Sequence, residues 1–166
     1  ARRQRQMCIR DSTRALHILG VRGEFLGGVG TYRDSGMAGS PASRNPRAFV
    51  NSGDRAVNDL AAIFRREAPQ LVLTYDENGG YGHPDHIRAH EITHAAAERV
   101  DIPRIMWPVP LAEDTAALIG LVLAAAGLTR GTVAAVVLPN TADLVIALFA
   151  AWRLGAAATP VNPALG

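Results

Sequence analysis

The chain has 166 residues, is 48% hydrophobic and 19% charged, and carries a formal net charge of +2 with a single cysteine. This size and composition suit a globular domain and exclude a large multidomain enzyme, a wholly disordered chain and a disulfide-stabilised scaffold. All 17 basic residues are arginine and only 5% of residues are aromatic, so the pattern of basic and aromatic residues typical of nucleic-acid binders is absent, and we expect no nucleic-acid partner.

Residues 1–12 (ARRQRQMCIRDS) show neither helical nor strand periodicity. They resemble a translated sequencing-adapter sequence, and the alternative is a natural basic tail. We interpret them as an artefactual or disordered tail and assign no role to Cys8.

Residues 13–107 alternate short strands with helices. Along the chain we expect a helix at 13–19, a strand at 24–26, a loop at 29–53, a helix capped by Asp54 and ended by Pro69, a strand at 71–74, a loop at 75–83, a helix at 84–99 and a strand at 102–106. The first long helix has apolar residues at i, i+3, i+4 and i+7, namely Val57, Leu60, Ala61 and Phe64. This order predicts a Rossmann-like α/β fold with a parallel sheet covered by helices.

Residues 108–166 are dominated by Ala, Leu and Val and carry few charges. The expected elements are a helix at 113–126, a strand at 132–138, a helix at 141–154 with a cap at Asn140 and Asp143, and a strand at 157–160. The longest uncharged run, 115–129, is shorter than the ~20 residues of a spanning helix, and no secretory signal is evident. We therefore expect a cytoplasmic protein without a membrane partner, and a second small α/β fragment that begins near 107–112.

Four of the five histidines lie in residues 75–94, whose sequence is YDENGGYGHPDHIRAHEITH. This segment follows the carboxyl end of a predicted strand, where α/β sheets place their ligands. His83 and His86 lie three residues apart around a predicted helix start, and Asp85 between them can orient an imidazole. Imidazoles, a carboxylate and the Tyr81 phenol on a glycine-rich loop are the components of a hydrolytic zinc site.

The His-x-x-His spacing alone leaves two interpretations open, a metal site and a helix start with solvated histidines. His90 and His94 continue the spacing at i+4, but alanines and charged residues surround them, which favours an exposed helix face. Because imidazoles at i and i+4 can share a metal, this pair is also an alternative metal site outside the cleft.

The sequence YDENGGYGHPDH at 75–86 resembles the second signature of the LmbE/PIG-L zinc deacetylases, most closely their mycothiol branch. The loop TYRDSGMAGS at 31–40 resembles a loop of that branch that lines the sugar-inositol pocket. The resemblance covers residues 13–107. It implies an incomplete Rossmann-like deacetylase domain, a Zn²⁺ cofactor and an N-acetylglucosaminyl-inositol substrate.

The resemblance also implies a role for each residue of the second signature. His86 matches the zinc-ligand histidine of this motif. His83 matches a histidine that acts as an acid or stabilises the tetrahedral intermediate, and Asp85 matches the residue that orients it. Tyr81 matches a mobile tyrosine that helps to hold the oxyanion.

In the 31–40 loop, the resemblance assigns Asp34 to hydrogen bonds with substrate hydroxyls and Met37 to packing on the substrate. The alternatives are a loop-capping aspartate at position 34 and a methionine that fills a gap in the core at position 37. In a complete enzyme of this family, zinc polarises the amide carbonyl and a bound water, and a carboxylate accepts the water proton.

The early AHPDD-type motif of the family, which supplies two further zinc ligands and the general base, does not occur in this sequence. Since a catalytic zinc needs three protein ligands and a water, the resemblance implies a deacetylase domain that is inactive as this fragment. We also expect the missing first strand to leave an exposed apolar edge on a sheet that is separate from the 108–166 fragment.

Residues 112–166 resemble the N-terminal part of an AMP-forming acyl-CoA synthetase in the GLTRG turn, the LPNTAD step and the LGAAATPVNP ending. In that family this region is scaffold. Three hypotheses stay open for the chain: a zinc-dependent N-acetyl-sugar deacetylase, an acyl-CoA synthetase fragment, and a chimeric reading frame with no function of its own.

Overall fold

The computed structural model describes residues 22–106, 127–138, 147, 151 and 154–162. These residues contain one parallel sheet with the spatial strand order β1-β5-β4-β2-β3. Its strands are β1 (Glu24–Phe25), β2 (Leu71–Leu73), β3 (Ile105–Met106), β4 (Val133–Val137) and β5 (Ala157–Asn162). The parallel α/β class predicted from the alternation of strands and helices is confirmed.

Two long helices, α1 (Gly53–Glu67) and α2 (Pro84–Glu98), pack against each other. The predicted apolar stripe of α1 is buried, as its members Val57, Leu60, Ala61 and Phe64 all lie in the core. The prediction that Asp54 caps α1 is wrong, because Ser52 precedes the helix and Asp54 lies exposed in its first turn. An acidic residue there still interacts favourably with the helix dipole.

The sheet joins the two segments that differ in composition. β4 pairs with β2, with Val136 opposite Leu73, and β5 pairs with β1, with Val161 opposite Glu24. The expectation of two separate α/β pieces with an exposed apolar edge is therefore wrong. β2 is fully buried, so its backbone N–H and C=O groups need a strand on each side, and β4 supplies one of them.

A single apolar core extends over both segments. The buried side chains of β2 and α1 belong to the same cluster as Leu128, Ala135 and Val137 of the second segment. The isolated positions Ala147 and Ala151 are buried in it as well. The predicted helices at 13–19 and 113–126, the Asn140–Asp143 cap and most of the helix at 141–154 lie outside the described residues.

The long loop predicted at 29–53 contains two short 3-10 helices, Pro41–Arg44 and Phe49–Asn51. An isolated parallel bridge between Arg33 and Ala48 closes the loop upon itself, with the Arg33 N–H 2.8 Å from the Arg47 carbonyl oxygen. This closure fixes the residues that follow Arg33 relative to α1. In the part of the chain that the structure describes, no helix has the length and apolarity to cross a bilayer.

Candidate metal and substrate site

The predicted site loop, residues 75–86, leaves the carboxyl end of β2 beside the carboxyl end of β4. The chain continues from β2 to β3 on one side of the sheet order and from β4 to β5 on the other. Such a reversal between neighbouring parallel strands opens a crevice at their carboxyl ends, where α/β proteins bind ligands. The Thr74 hydroxyl lies 3.4 Å from the Val137 carbonyl oxygen at this point, so the two strand ends are held together.

Glycines shape the loop where it turns back toward α2. Gly79 and Gly80 both have positive φ, at 61° and 73°, within a single helical turn over Gly79–Gly82. A Cβ on Gly79 would lie 2.7 Å from the Ile87 backbone nitrogen and 2.8 Å from the His86 Cβ. Only glycine allows this close approach, which sets the loop against the start of α2.

The His86 ring is buried and oriented from several sides. Its Nδ1 lies 3.2 Å from the Gly79 carbonyl oxygen, and because a carbonyl oxygen can only accept, Nδ1 carries the proton. The ring stacks on Tyr75 with centroids 4.0 Å apart and planes 4° apart, and on His83 with centroids 4.7 Å apart. A histidine whose Nδ1 donates to a carbonyl presents Nε2 as a lone-pair donor, the arrangement typical of a metal ligand.

His83 caps the amino end of α2 and gains a defined tautomer from that position. Its Nδ1 accepts the Asp85 backbone N–H at 3.2 Å, which requires the proton of the neutral ring to lie on Nε2. Tyr81 is 69% exposed, and its ring lies edge-on to His83 and His86 at centroid distances of 6.1 and 5.2 Å. The loop thus combines an imidazole N–H donor, a phenol and an imidazole acceptor at one place.

Asp85 connects this loop to the 31–40 loop. Its side chain is buried, and Oδ2 accepts the Ser35 backbone N–H at 2.9 Å. Ser35 is itself fully buried, and its hydroxyl accepts the Val50 N–H at 3.1 Å. Burial raises the pKa of Asp85, hydrogen bonds from Ser35 oppose that rise, and the charge of Asp34 adds to it. The carboxylate is therefore a buried tie between two loops, and its Oδ1 has no hydrogen-bond partner among the described residues.

The structure places Asp34 and Met37 on the exposed side of the 31–40 loop. Asp34 Oδ1 accepts the Gly36 N–H at 2.7 Å, so this residue does close a local turn. Its position next to Ser35 brings its carboxylate near Asp85. Met37 is 52% exposed, which excludes the alternative that it fills a gap in the core.

Replacing Asp85 by Asn should stabilise the metal-free protein at neutral pH. The raised pKa means that the folded state holds the Asp85 proton more tightly than the unfolded chain does. Stability of the wild type must then fall as the pH rises from the unfolded pKa through the folded pKa. The asparagine has no such proton and keeps an oxygen for the Ser35 N–H. We expect urea unfolding to show that Asp85→Asn is more stable than the wild type at pH 7, and that this advantage disappears at strongly acidic pH.

Asp101→Asn is the matched control for this comparison, because it removes one carboxylate from an exposed turn. Its stability relative to the wild type should vary little with pH. An Asp85→Asn difference that is constant from pH 3 to 7 would contradict the assignment of Asp85 as a carboxylate held against its desolvation cost.

The prediction of an exposed helix face at His90 and His94 is wrong. Both rings are half-buried, and the His90 Nδ1 lies 2.8 Å from the Tyr75 carbonyl oxygen. Burial lowers the pKa of His94, and the nearby His90 lowers it further, while Glu98 acts in the opposite direction. The surrounding alanines that suggested a solvated face are small, so they let the imidazoles lie against the loop.

The described residues do not complete a zinc site. No group of three or more His, Cys, Asp or Glu side chains in 22–106, 127–138 and 154–162 is placed to share one ion. His86 fits a single ligand, since its ring is buried, oriented and bonded at Nδ1 to a carbonyl. A catalytic zinc requires two more protein ligands than this.

Two residues of the site were missed by sequence reasoning. Tyr75 provides the ring on which His86 stacks, and Ser35 provides the N–H that holds Asp85. Tyr75 could have been found from its position directly after a buried strand, where side chains reach the crevice. The sequence around Ser35 holds no signal for a contact with a residue 50 positions away.

Comparison with known proteins matches the two segments differently. The PIG-L model, described as GlcNAc-PI de-N-acetylase, matches residues 3–97, and so begins within the segment that we interpret as a tail. The AMP-binding model, described as AMP-binding enzyme, matches residues 112–166. The resemblances that the sequence shows to both families are thus confirmed.

Three curated relatives carry the name 1D-myo-inositol 2-acetamido-2-deoxy-alpha-D-glucopyranoside deacetylase. The protein of Corynebacterium diphtheriae is 46% identical over 172 residues, which cover 93% of this chain and 59% of the relative. That of Corynebacterium efficiens is 59% identical over 61% of the chain and 33% of the relative, and that of Nocardia farcinica is 53% identical over 61% and 36%. The chain therefore spans between a third and three fifths of these relatives, and the C. diphtheriae match extends into the second segment.

Proposed function

The chain belongs to the PIG-L family of de-N-acetylases, and we propose that it carries the substrate loop and the second catalytic motif of a deacetylase that acts on an N-acetylglucosaminyl-inositol. The observation that carries this proposal is the tie between the two loops, in which the Ser35 N–H holds the buried Asp85 carboxylate at 2.9 Å. It brings Asp34 to the same crevice as Tyr81, His83 and His86. A sugar-inositol offers hydroxyls to a carboxylate and an amide to hydrogen-bond donors, so both loops have a matching group.

Within this proposal, His83 and Tyr81 act on the oxygen of the substrate amide. The His83 tautomer leaves an N–H at Nε2, and the Tyr81 phenol is a second donor on a side chain that is exposed and able to move. Donors aimed at an oxygen that gains negative charge stabilise the tetrahedral species more than the substrate. His83 can then pass its proton to the departing amine, while Asp85 keeps the helix start in place.

We propose that His86 supplies one zinc ligand through Nε2 and that the other ligands lie outside the described residues. The bond from His86 Nδ1 to the Gly79 carbonyl supports this assignment, because such a bond fixes the ring and raises its basicity. The family resemblance implies the metal, and the donor set of the described residues supports this one ligand. We derive no catalytic step from the metal here.

We also propose a division of the chain by role. Residues 13–107 correspond to the partial deacetylase domain, residues 108–166 to a partial segment of AMP-binding type, and residues 1–12 to a tail. Since β4 and β5 lie inside the shared sheet, the second segment serves here as scaffold. A place in mycothiol synthesis and a cytoplasmic location complete the proposal.

Binding of the substrate tests this function. We expect N-acetylglucosaminyl-inositol to shift the NMR resonances of Asp34, Met37, Tyr81 and His83 in the purified 166-residue chain. Asp34→Ala should weaken binding by at least about ten-fold, because a hydrogen bond to a charged group contributes about 1.5–3 kcal/mol. The measurement is a titration followed by two-dimensional NMR.

Asp34→Asn is the matched variant, because it keeps the oxygen that accepts the Gly36 N–H and removes only the charge. It should bind more tightly than the Ala variant and less tightly than the wild type. Shifts confined to other parts of the chain, or equal affinity of all three proteins, would contradict a substrate site at this crevice.

A further inference from the structure

We propose that His90 and His94 form a second metal site that binds a divalent transition-metal ion, separate from the His86 ligand. The two residues lie one turn apart on α2, so both side chains project from the same face of the helix. Their ring centroids are 4.3 Å apart with planes 40° apart. Imidazole nitrogens that bind one ion at about 2.0–2.1 Å bring their rings to a similar separation.

The orientation of His90 is set by a backbone contact. Its Nδ1 lies 2.8 Å from the Tyr75 carbonyl oxygen, which can only accept a hydrogen bond. The proton of the neutral ring is therefore on Nδ1, and Nε2 carries the lone pair that a metal needs. A histidine that donates its other N–H to a backbone carbonyl is the usual form of a metal-binding histidine.

Tyr75 separates this pair from the site loop. Its ring stacks on His86, whereas its carbonyl oxygen contacts His90. The Nδ1 of His86 contacts a different carbonyl, that of Gly79, and its ring stacks on His83. The two pairs therefore present their Nε2 atoms at different places, and an ion at His90 and His94 does not occupy the proposed substrate crevice.

The donor chemistry selects the class of ion. Two imidazoles and water suit Zn²⁺, Ni²⁺ and Cu²⁺, whereas Mg²⁺ and Ca²⁺ prefer oxygen ligands. Two protein ligands are fewer than a structural zinc site has, so the ion keeps several waters and exchanges readily. The proposal thus concerns a labile site, and it stands whether or not the chain is a deacetylase.

Titration with Ni²⁺ and Zn²⁺ tests the site. The experiment uses the full chain with Cys8→Ser and His17→Gln, which removes the sulfur and imidazole ligands outside residues 75–94. His90→Ala and His94→Ala should each weaken binding by at least about ten-fold in calorimetry, since loss of a direct ligand costs no less than loss of a supporting contact. His86→Ala should bind with unchanged affinity, and Mg²⁺ should show no binding to any variant.

Paramagnetic broadening by Ni²⁺ gives a second readout that needs no variant in the helix. In the Cys8→Ser, His17→Gln chain, the ring resonances of His90 and His94 should broaden before those of His83 and His86. Loss of binding in His86→Ala, preferential broadening of His83 and His86, or no binding at millimolar Ni²⁺ would each overturn the proposal.

Discussion

Val136→Asp is expected to unfold the whole described sheet together with α1 and α2, and not the second segment alone. Val136 is fully buried in β4, where it lies opposite Leu73 of β2 and Pro160 of β5. An unpaired carboxylate at this position should cost at least about 4 kcal/mol. Since domains of this size are stable by only about 5–15 kcal/mol, far-UV circular dichroism at 25 °C should show a largely unfolded chain.

Thr129→Asp controls for the added charge, because Thr129 lies exposed in the turn before β4. Its free energy of unfolding should stay within about 0.5 kcal/mol of the wild-type value. If the Val136→Asp chain kept native NMR resonances for α1 and α2 and lost only those of 133–162, the two segments would be independent and the shared core would be refuted.

Gly79→Ala is expected to cost about 2–5 kcal/mol of folding free energy and to displace His86. The residue has a left-handed backbone, which costs a non-glycine residue roughly 1–2 kcal/mol. The added Cβ would also meet the Ile87 backbone nitrogen at 2.7 Å, and overpacking of this kind costs a further 1–3 kcal/mol or so. Urea unfolding measures the loss, and the ring resonances of His86 report its displacement from Tyr75.

Gly82→Ala separates the two contributions. Gly82 has a similar φ of +86°, but no atom lies within 4 Å of the Cβ that alanine would add. This variant should lose only the roughly 1–2 kcal/mol of the left-handed backbone and keep the His86 resonances unchanged. Equal losses for both variants would show that the loop does not lie against the start of α2 as described.

Local pattern was sufficient to predict the elements, but not how the strands pair. The stripe of Val57, Leu60 and Phe64 predicts α1 within one residue at its start, because the period of a helix is written in the chain itself. The pairing of β4 with β2 depends on which strand covers a buried edge. The shift in composition near 107–112 is silent on this, since an Ala- and Val-rich strand fits the edge of β2 whatever its origin.

The same distinction applies to the site. The glycine-rich loop before α2 predicts that Tyr81, His83, Asp85 and His86 come together, and the ring contacts show three of these four in one cluster. The burial of Asp85 could not be predicted, because it depends on Ser35 in a distant loop. The burial of the second histidine pair likewise depends on tertiary contacts that helical periodicity does not encode.

Release of free amine from N-acetylglucosaminyl-inositol by the purified 166-residue chain, with zinc added at neutral pH, is the most direct measurement of the role proposed for it. His86 is the one oriented zinc ligand that the described residues bring to the crevice, and a catalytic zinc needs three protein ligands. We therefore expect the substrate to bind and the amine to form no faster than without protein. Amine release that is faster than this background, and that disappears in His86→Ala, would contradict the conclusion that the chain carries only part of a deacetylase site.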